Sequence, residues 1–472
     1  MKFRQIILVL ILLISGGFAQ IPNNNLYLEF QFDQIMLNDN FADSSYLFNI
    51  PSEMAPKKHV GVDFILGIRN NAISPYYNYN DTKHFLFSPY YSIKINKNLL
   101  FTGRLNAENK KEDIRNANKP FWSDELAGGR GGVEIGYIQY QQPNFFVKFG
   151  RDYFLPGLYF NENLLFSKYN YSYDQLLYGF RHKFFELSAF YLVLNPMAEI
   201  SIVEVDGVNR QDETVIQRHL NGHRMSINLF SKGYLAINEV MVYAGENRQV
   251  NYALFNPLLA YYPYQKNTHY FESNSIISAE LFYQYTNYLL FFEFLLDDFQ
   301  IHDSGEWDQE PTEFGINCTL GKKKLISGFN LFLNFSRVAN RTYNAQEGDF
   351  ENFIYKNYPI GHYLGNNFWE ISTKVNFSRE DKMLAELKFS YQEYGEEALY
   401  VPFNTDFTVD TSGDKYSENF PFGAIHKQGG ILAKFFYQFS GQFLLSAKLS
   451  YWLENSLLEE DFNFALYGSY HF

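Results

Sequence analysis

The stretch Gly441-Gln-Phe-Leu-Leu-Ser-Ala-Lys-Leu-Ser-Tyr-Trp452 alternates in character. Phe443, Leu445, Ala447, Leu449 and Tyr451 fall on one parity; Ser446, Lys448 and Ser450 fall on the other. A period of two belongs to a β-strand, whose successive side chains point to opposite faces. After the loop Glu454–Glu460, Phe464, Leu466, Gly468, Tyr470 and Phe472 again lie two apart. One such hairpin would suit a soluble sheet equally well. The pattern recurs, however, near 59–69, 84–95, 98–108, 131–141, 144–151, 173–181, 183–194, 219–231 and 234–245, and then near 274–285, 288–297, 311–320, 325–338, 366–378, 382–394, 427–438, 442–453 and 462–472.

The connections between these segments alternate in length. Asn96-Lys97, Gln142-Pro143, Ser231-Lys-Gly233, Thr286-Asn287, Gly321–Lys324, Ser378–Asp381 and Ser440-Gly441 are tight turns. Between them lie long links at 70–83, 109–130, 152–172, 195–218, 246–273, 298–310, 339–365, 395–426 and 454–461. Short turns at one end and long loops at the other are the signature of a transmembrane antiparallel β-barrel of the outer-membrane type, here with about 18 strands. The first strand agrees: Val60, Val62, Phe64, Leu66 and Ile68 share one parity, with Asp63 and Arg69 on the other. An acid and a base within a strand are costly in a dry core and at home in a wet lumen. The segment ending on Phe472 also resembles the C-terminal signal of Gram-negative outer-membrane barrels, which implies the barrel assembly machinery as a partner. The outward face implies outer-membrane lipid as another.

Residues 1–19 have the layout of a cleavable export signal. Lys2 and Arg4 precede the apolar run Ile6–Ile14, and Gly17-Phe18-Ala19 is a small-residue site that places cleavage near Ala19. Nine apolar residues are too few for a spanning helix, which needs about 20. Residues 20–58 are irregular and are expected to form a periplasmic or plugging segment, with the barrel over 59–472. Aromatics make up 19% of the chain while charge is spread throughout. That profile fits a barrel with rings at both interfaces and a polar interior. The lone Cys318 excludes an internal disulfide and any cysteine-based metal cluster, and its parity places it on the lipid side. A net charge of −13 argues against nucleic acid as a partner.

Three stretches resemble the capsule assembly Wzi family. The first is Phe149-Gly-Arg151 with Leu155-Pro-Gly157 and Asn163-Leu-Leu-Phe-Ser167. The second is Phe255-Asn-Pro-Leu258 followed by Asn274, and the third is Tyr355-Lys-Asn-Tyr-Pro-Ile-Gly-His-Tyr-Leu-Gly-Asn-Asn367. The resemblance implies an 18-stranded outer-membrane barrel that holds surface polysaccharide in the manner of a lectin. Members of that family begin with a helical bundle, which residues 20–58 are too short to supply.

Sugar recognition uses flat amphipathic rings beside amides, carboxylates and hydroxyls. On that basis the candidate polysaccharide contacts are Tyr76, Tyr77, Tyr79, Asp81, Trp122, Tyr261, Tyr262, Tyr264, Trp307, Tyr355, Tyr358 and His362. Against this stands the common alternative of interfacial rings and loop packing. Lys110, Lys111, Arg115 and Lys119 form a basic loop contact for an acidic polymer, nearly neutralised by Glu112 and Asp113. Asp410, Ser412, Asp414 and Glu418 lack EF-hand spacing, so neither a metal nor another cofactor is expected. No Gly-x-Ser-x-Gly, His-Glu-x-x-His or phosphate loop occurs, and the expectation is a non-catalytic protein. The alternative is a porin or substrate-specific channel.

Overall fold

The computed structural model describes residues 58–69, 73–74, 77–78, 83–108, 130–154, 156, 163–167, 171–205, 208–229, 232–268, 271–298, 312–345, 349–379, 382–396, 398–400, 419–439, 443–454 and 460–471. Residues 1–57, where the export signal and the periplasmic or plugging segment are expected, and Phe472 lie outside them.

The strands are β1 (Lys58–Arg69), β2 (Ile73–Ser74), β3 (Tyr77–Asn78), β4 (Lys83–Lys94), β5 (Leu99–Glu108), β6 (Arg130–Gln141), β7 (Phe145–Tyr153), β8 (Ser172–His182), β9 (Phe185–Val193), β10 (Met197–Val205), β11 (Val208–Asn228) and β12 (Gly233–Glu246). They continue with β13 (Ser273–Tyr285), β14 (Tyr288–Asp298), β15 (Glu313–Ile326), β16 (Phe329–Val338), β17 (Ile354–Tyr355), β18 (Tyr358–Pro359), β19 (Phe368–Arg379), β20 (Met383–Tyr394), β21 (His426–Gln438), β22 (Phe443–Glu454) and β23 (Glu460–His471). Nineteen of them form one sheet. That sheet closes on itself, β1 pairing antiparallel with β23 from Asp63↔His471 to Arg69↔Ala465 and with β4 on its other side. Closure removes the free edges that a bilayer cannot satisfy. The expected 18-stranded barrel is therefore present, with β10 as a nineteenth strand outside the ring.

The alternation seen in sequence is the alternation of facing. On β19, Glu370, Ser372, Lys374 and Asn376 point inward and are buried, whereas Ile371 is 52% exposed on the outer wall. On β22, Ser446, Lys448 and Ser450 are likewise buried inward. Cys318 lies on the outward parity of β15, between Ile316 and Leu320. Inward lysines stand directly opposite each other at Lys374↔Lys388 and Lys434↔Lys448. Acids interleave with them: Lys388 Nζ lies 2.8 Å from Glu370, and Lys434 Nζ 3.6 Å from Glu386. Like charges facing across a ladder are destabilising unless such acids offset them.

Two sequence expectations are corrected. The turn placed at Gly321–Lys324 lies instead around Gly328, because β15 continues through Lys322–Ile326 and pairs Ile326↔Phe329. Gly328 takes the positive φ of +81° that this turn needs. The link placed at 195–218 is a hairpin: β10 pairs with the first half of β11, from Met197↔Ile216 to Val205↔Val208. Asp206-Gly207 between them is the dipeptide best suited to a tight hairpin.

Two of the connections at the long-loop end fold into the lumen and pack on its wall. Phe154, Leu164, Leu165, Phe166 and Tyr171 from the β7–β8 link bury against Tyr343, Phe353, Tyr355 and Ile360 from the β16–β19 link. Both sets pack on inward strand residues such as Leu192, Leu220, Val242, Ile276 and Leu295. This explains why β14 is apolar on both faces. Its outer side meets lipid; its inner side, Leu289, Phe291 and Leu295, is buried in the interior, where Leu295 meets the loop core.

Candidate functional site

The long-loop end is held in place by inward-pointing polar side chains of the wall. Glu293 of β14 accepts the backbone N–H groups of Leu164 at 2.7 Å and Leu165 at 3.1 Å. Asp297 accepts the N–H of Tyr343, whose hydroxyl donates to Leu164 O at 2.6 Å. Arg218 of β11 donates to Phe350 O at 2.5 Å and to Asn352 O at 2.7 Å. Asn367 clamps the β20–β21 link by donating to Phe422 O and accepting from Phe422 N. Backbone groups in loops must be satisfied when buried, and here the barrel wall satisfies them.

The three stretches that resemble known sequence patterns meet in this plug. Ser167 N donates to Ile360 O at 2.8 Å, joining the first stretch to the third. Gly361 is pressed against them: a Cβ there would stand 2.6 Å from Leu164 O and from the Tyr343 ring. Asn274 donates to Asn344 O at 3.2 Å, which ties in the second stretch, whereas Phe255 O accepts the hydroxyl of Tyr178 on the outward parity of β8.

The β12–β13 link forms a second cap, on the outer face of the wall: Glu239, Met241 and Tyr243 beneath it share the outward parity of Leu235 and Ile237. Helix α1 (Tyr261–Asn267) has its first N–H groups, Tyr261 and Tyr262, bound at 2.8 Å each by the carboxylate of Glu239. His223 lies 3.2 Å from the same carboxylate. Leu254 and Tyr261 pack on Met241 and Tyr243 of the wall.

Beside this cap is a groove of about 480 Å3 lined by Arg248, Gln249, Val250, Asn251, Tyr252, Ala253 and Phe271. The Tyr252 ring is 82% exposed at its rim. Arg248 lies over the Phe271 ring at 4.5 Å from its centroid. Asn251 is oriented by its bond to the Tyr264 hydroxyl at 3.0 Å. An exposed ring beside amides and a guanidinium can stack on an apolar face and hydrogen-bond to hydroxyls.

The candidate residues from sequence are distributed unevenly. Tyr261, Tyr355 and His362 are buried, at 0%, 4% and 0% exposure. Tyr261 donates to Leu254 O at 2.6 Å, Tyr355 stacks on Tyr173 at 4.5 Å, and His362 stacks on Phe368 at 4.4 Å. Tyr355 and His362 build the plug, whereas Tyr261 belongs to the β12–β13 cap. Tyr262, Tyr264 and Tyr358 are half-buried, with Lys266 lying over Tyr262 and Tyr358 set edge-on against Tyr171. Tyr77 lies in β3. Tyr76, Tyr79, Asp81, Trp122, Trp307, Lys110, Lys111, Arg115 and Lys119 lie outside the described residues, as do Asp410, Ser412, Asp414 and Glu418. Tyr252 and Arg248 were not anticipated. The sequence signal was available in the cap Asn251, whose side chain accepts Ala253 N and begins the 3-10 turn Tyr252–Phe255 that presents the ring. Among the described residues no group of His, Cys, Asp and Glu is arranged to hold a metal.

No protein-family model matches the chain, and no curated protein does. Solved structures do. The chain is similar to Wzi, an outer-membrane protein involved in group 1 capsule assembly in Escherichia coli and a carbohydrate-binding β-barrel, with a TM-score of 0.58 and 11% identity over 89% of this chain and 85% of that one. It also aligns with OpdK from Pseudomonas aeruginosa, TM-score 0.49 and 9% identity over 88% of this chain and 98% of that one, and with OccAB4 from Acinetobacter baumannii, TM-score 0.47 and 9% identity over 89% and 99%. At such identities the likeness is one of fold: this chain has the outer-membrane β-barrel fold.

Proposed function

We propose that the protein sits in the outer membrane of a Gram-negative bacterium and retains, or helps assemble, polysaccharide at the cell surface without catalysing a reaction. The observation that carries this is the inward packing of two long links on the barrel wall. Loops that fold inward and are fixed by Glu293, Asp297 and Arg218 spend the lumen on rigidity. What faces outward is a groove with an exposed Tyr252, beside Gln249, Asn251 and Arg248. The shared fold with a carbohydrate-binding barrel supports the same reading. Weak ring and hydrogen-bond contacts suffice for a repeating polymer, because successive repeats engage several sites or several copies at once.

The test is binding of purified full-length protein to extracted capsular polysaccharide, read by co-sedimentation, with Tyr252→Ala beside the wild type. The expected result is retention by the wild type and a loss of about 10-fold for the variant, as removal of a stacked ring costs on the order of 1–2 kcal/mol. Absence of binding by the wild type would sink the proposal. The second reading, a substrate-specific channel, is favoured by the inward polar ladder Glu370, Lys388, Lys374, Glu386 and Lys434. Large stable currents across a planar bilayer would support it.

A further inference from the structure

The tight-turn end of the barrel carries a feature that a role at the opposite mouth leaves unused. The turns 228–233, 285–288 and 321–330 contain Lys232, Lys322, Lys323 and Lys324 and no Asp or Glu, in a chain whose net charge is −13. Lys323 is turned inward and buried, at 1% exposure. Lys232 and Lys322 instead lie on the outside, each over an outward ring. Lys322 Nζ is 3.5 Å from the centroid of Tyr288, and Lys232 Nζ is 5.1 Å from that of Tyr285. Tyr285 and Tyr288 are paired across the β13–β14 turn and are 58% and 57% exposed. Tyr288 is in turn paired with Lys322 on β15, and Gln284 N donates to Lys232 O at 2.7 Å. The two lysines and two rings therefore form one contiguous patch over three hairpins.

Immediately along the wall from this patch lie Leu235, Ile237, Tyr283, Phe292 and Leu320, all exposed and apolar. The patch stands where the oily belt ends and the tight turns begin. Rings at such a boundary sit at headgroup depth, and lysine stems lie along apolar surface while the ammonium reaches the polar layer. An ammonium held over a ring keeps its charge but leaves N–H donors free for a second partner.

We propose that Lys232, Tyr285, Tyr288 and Lys322 form a site for an anionic glycerophospholipid of the inner leaflet: the two ammonium groups take the phosphate and the adjoining wall takes the acyl chains. Clustered cations at a membrane surface recognise anionic headgroups in this way. The site is independent of polysaccharide binding, and its failure would leave that proposal standing.

Native mass spectrometry of the full-length protein in detergent micelles tests it, with dioleoyl phosphatidylglycerol or dioleoyl phosphatidylcholine added. Wild type is compared with Lys232→Gln/Lys322→Gln, each first shown to be folded by heat-modifiable mobility. If the double variant does not fold, the two single variants replace it, each expected to lose part of the effect. The expected result is retention of phosphatidylglycerol by the wild type and a loss of roughly 10-fold or more in the double variant. Phosphatidylcholine should bind both alike, and excess inorganic phosphate should not displace the lipid. Equal phosphatidylglycerol retention by wild type and variant would overturn the site. Displacement by inorganic phosphate would overturn its assignment to a lipid and leave a small-anion site.

Discussion

Single inward acids do disproportionate service here. Glu293 sits among Leu289, Phe291 and Leu295 on the inner face of β14, at 1% exposure, and binds two loop N–H groups. Removing it strands two buried donors, each costing about 1–3 kcal/mol. Glu293→Ala should therefore loosen residues 163–167 while leaving the barrel intact. Hydrogen exchange of those amides should quicken by an order of magnitude or more, with heat-modifiable mobility unchanged; unaltered exchange would show that the anchor is dispensable. Glu351 gives a pH handle on the same plug. Burial, reinforced by the nearby charge of Glu272, pushes its carboxyl up to about 7 from the ordinary 4.5. A raised pKa means that the folded plug binds this proton more tightly than the opened one. The stabilisation is thus complete below about 4.5 and is lost as pH rises through about 7. Protection of amides 349–360, corrected for intrinsic exchange, should fall between about pH 5 and pH 8. In Glu351→Gln that fall should vanish.

At the scale of the element, alternation was legible because facing lipid and facing the interior demand opposite chemistry at every second residue. Leu445 and Ser446 test it directly. Arg at an outward midplane position costs about 2–4 kcal/mol, whereas Arg facing the interior avoids lipid altogether. Leu445→Arg should lower folding yield into vesicles well below that of Ser446→Arg, and equal yields would contradict the facing. The β10–β11 hairpin escaped the sequence reading because it stands beyond the ring, where alternation serves no membrane. The Asp206-Gly207 dipeptide was the cue in the sequence, and the long link around it hid it. The candidate rings were harder still. Tyr261, Tyr355 and Tyr252 are all loop tyrosines near Asn or Pro, yet two are buried and one is 82% exposed. What separates them is whether a wall residue stands beneath: Glu239 on the outward parity of β12 holds Tyr261, and Tyr173 on the inward parity of β8 stacks under Tyr355. Such partners are distant in sequence, so composition alone could not sort plug from surface.

For the whole molecule, strand number and loop packing pull in opposite directions. A ring of 16–18 strands encloses an aqueous channel unless something fills it. Here the filling comes from the chain's own links, whose core joins Phe154, Leu164, Phe166, Tyr343, Phe353 and Ile360 to the wall. The wall alone closes through β1 and β23 and makes none of its ladder bonds through these links. Replacing residues 343–362 by a short Gly-Ser linker should therefore leave a folded barrel and open it. The linker removes Tyr343, Phe353 and Ile360 together with the acceptors of Arg218, so the β7–β8 link loses its packing partner as well. In planar bilayers the wild type should pass little steady current and the deletion should pass large, long-lived currents. Arg218→Ala, which unpins the same loop without shortening it, should give brief openings between those limits. Large steady currents in the wild type would show that the plug does not seal, and the channel reading would then displace retention.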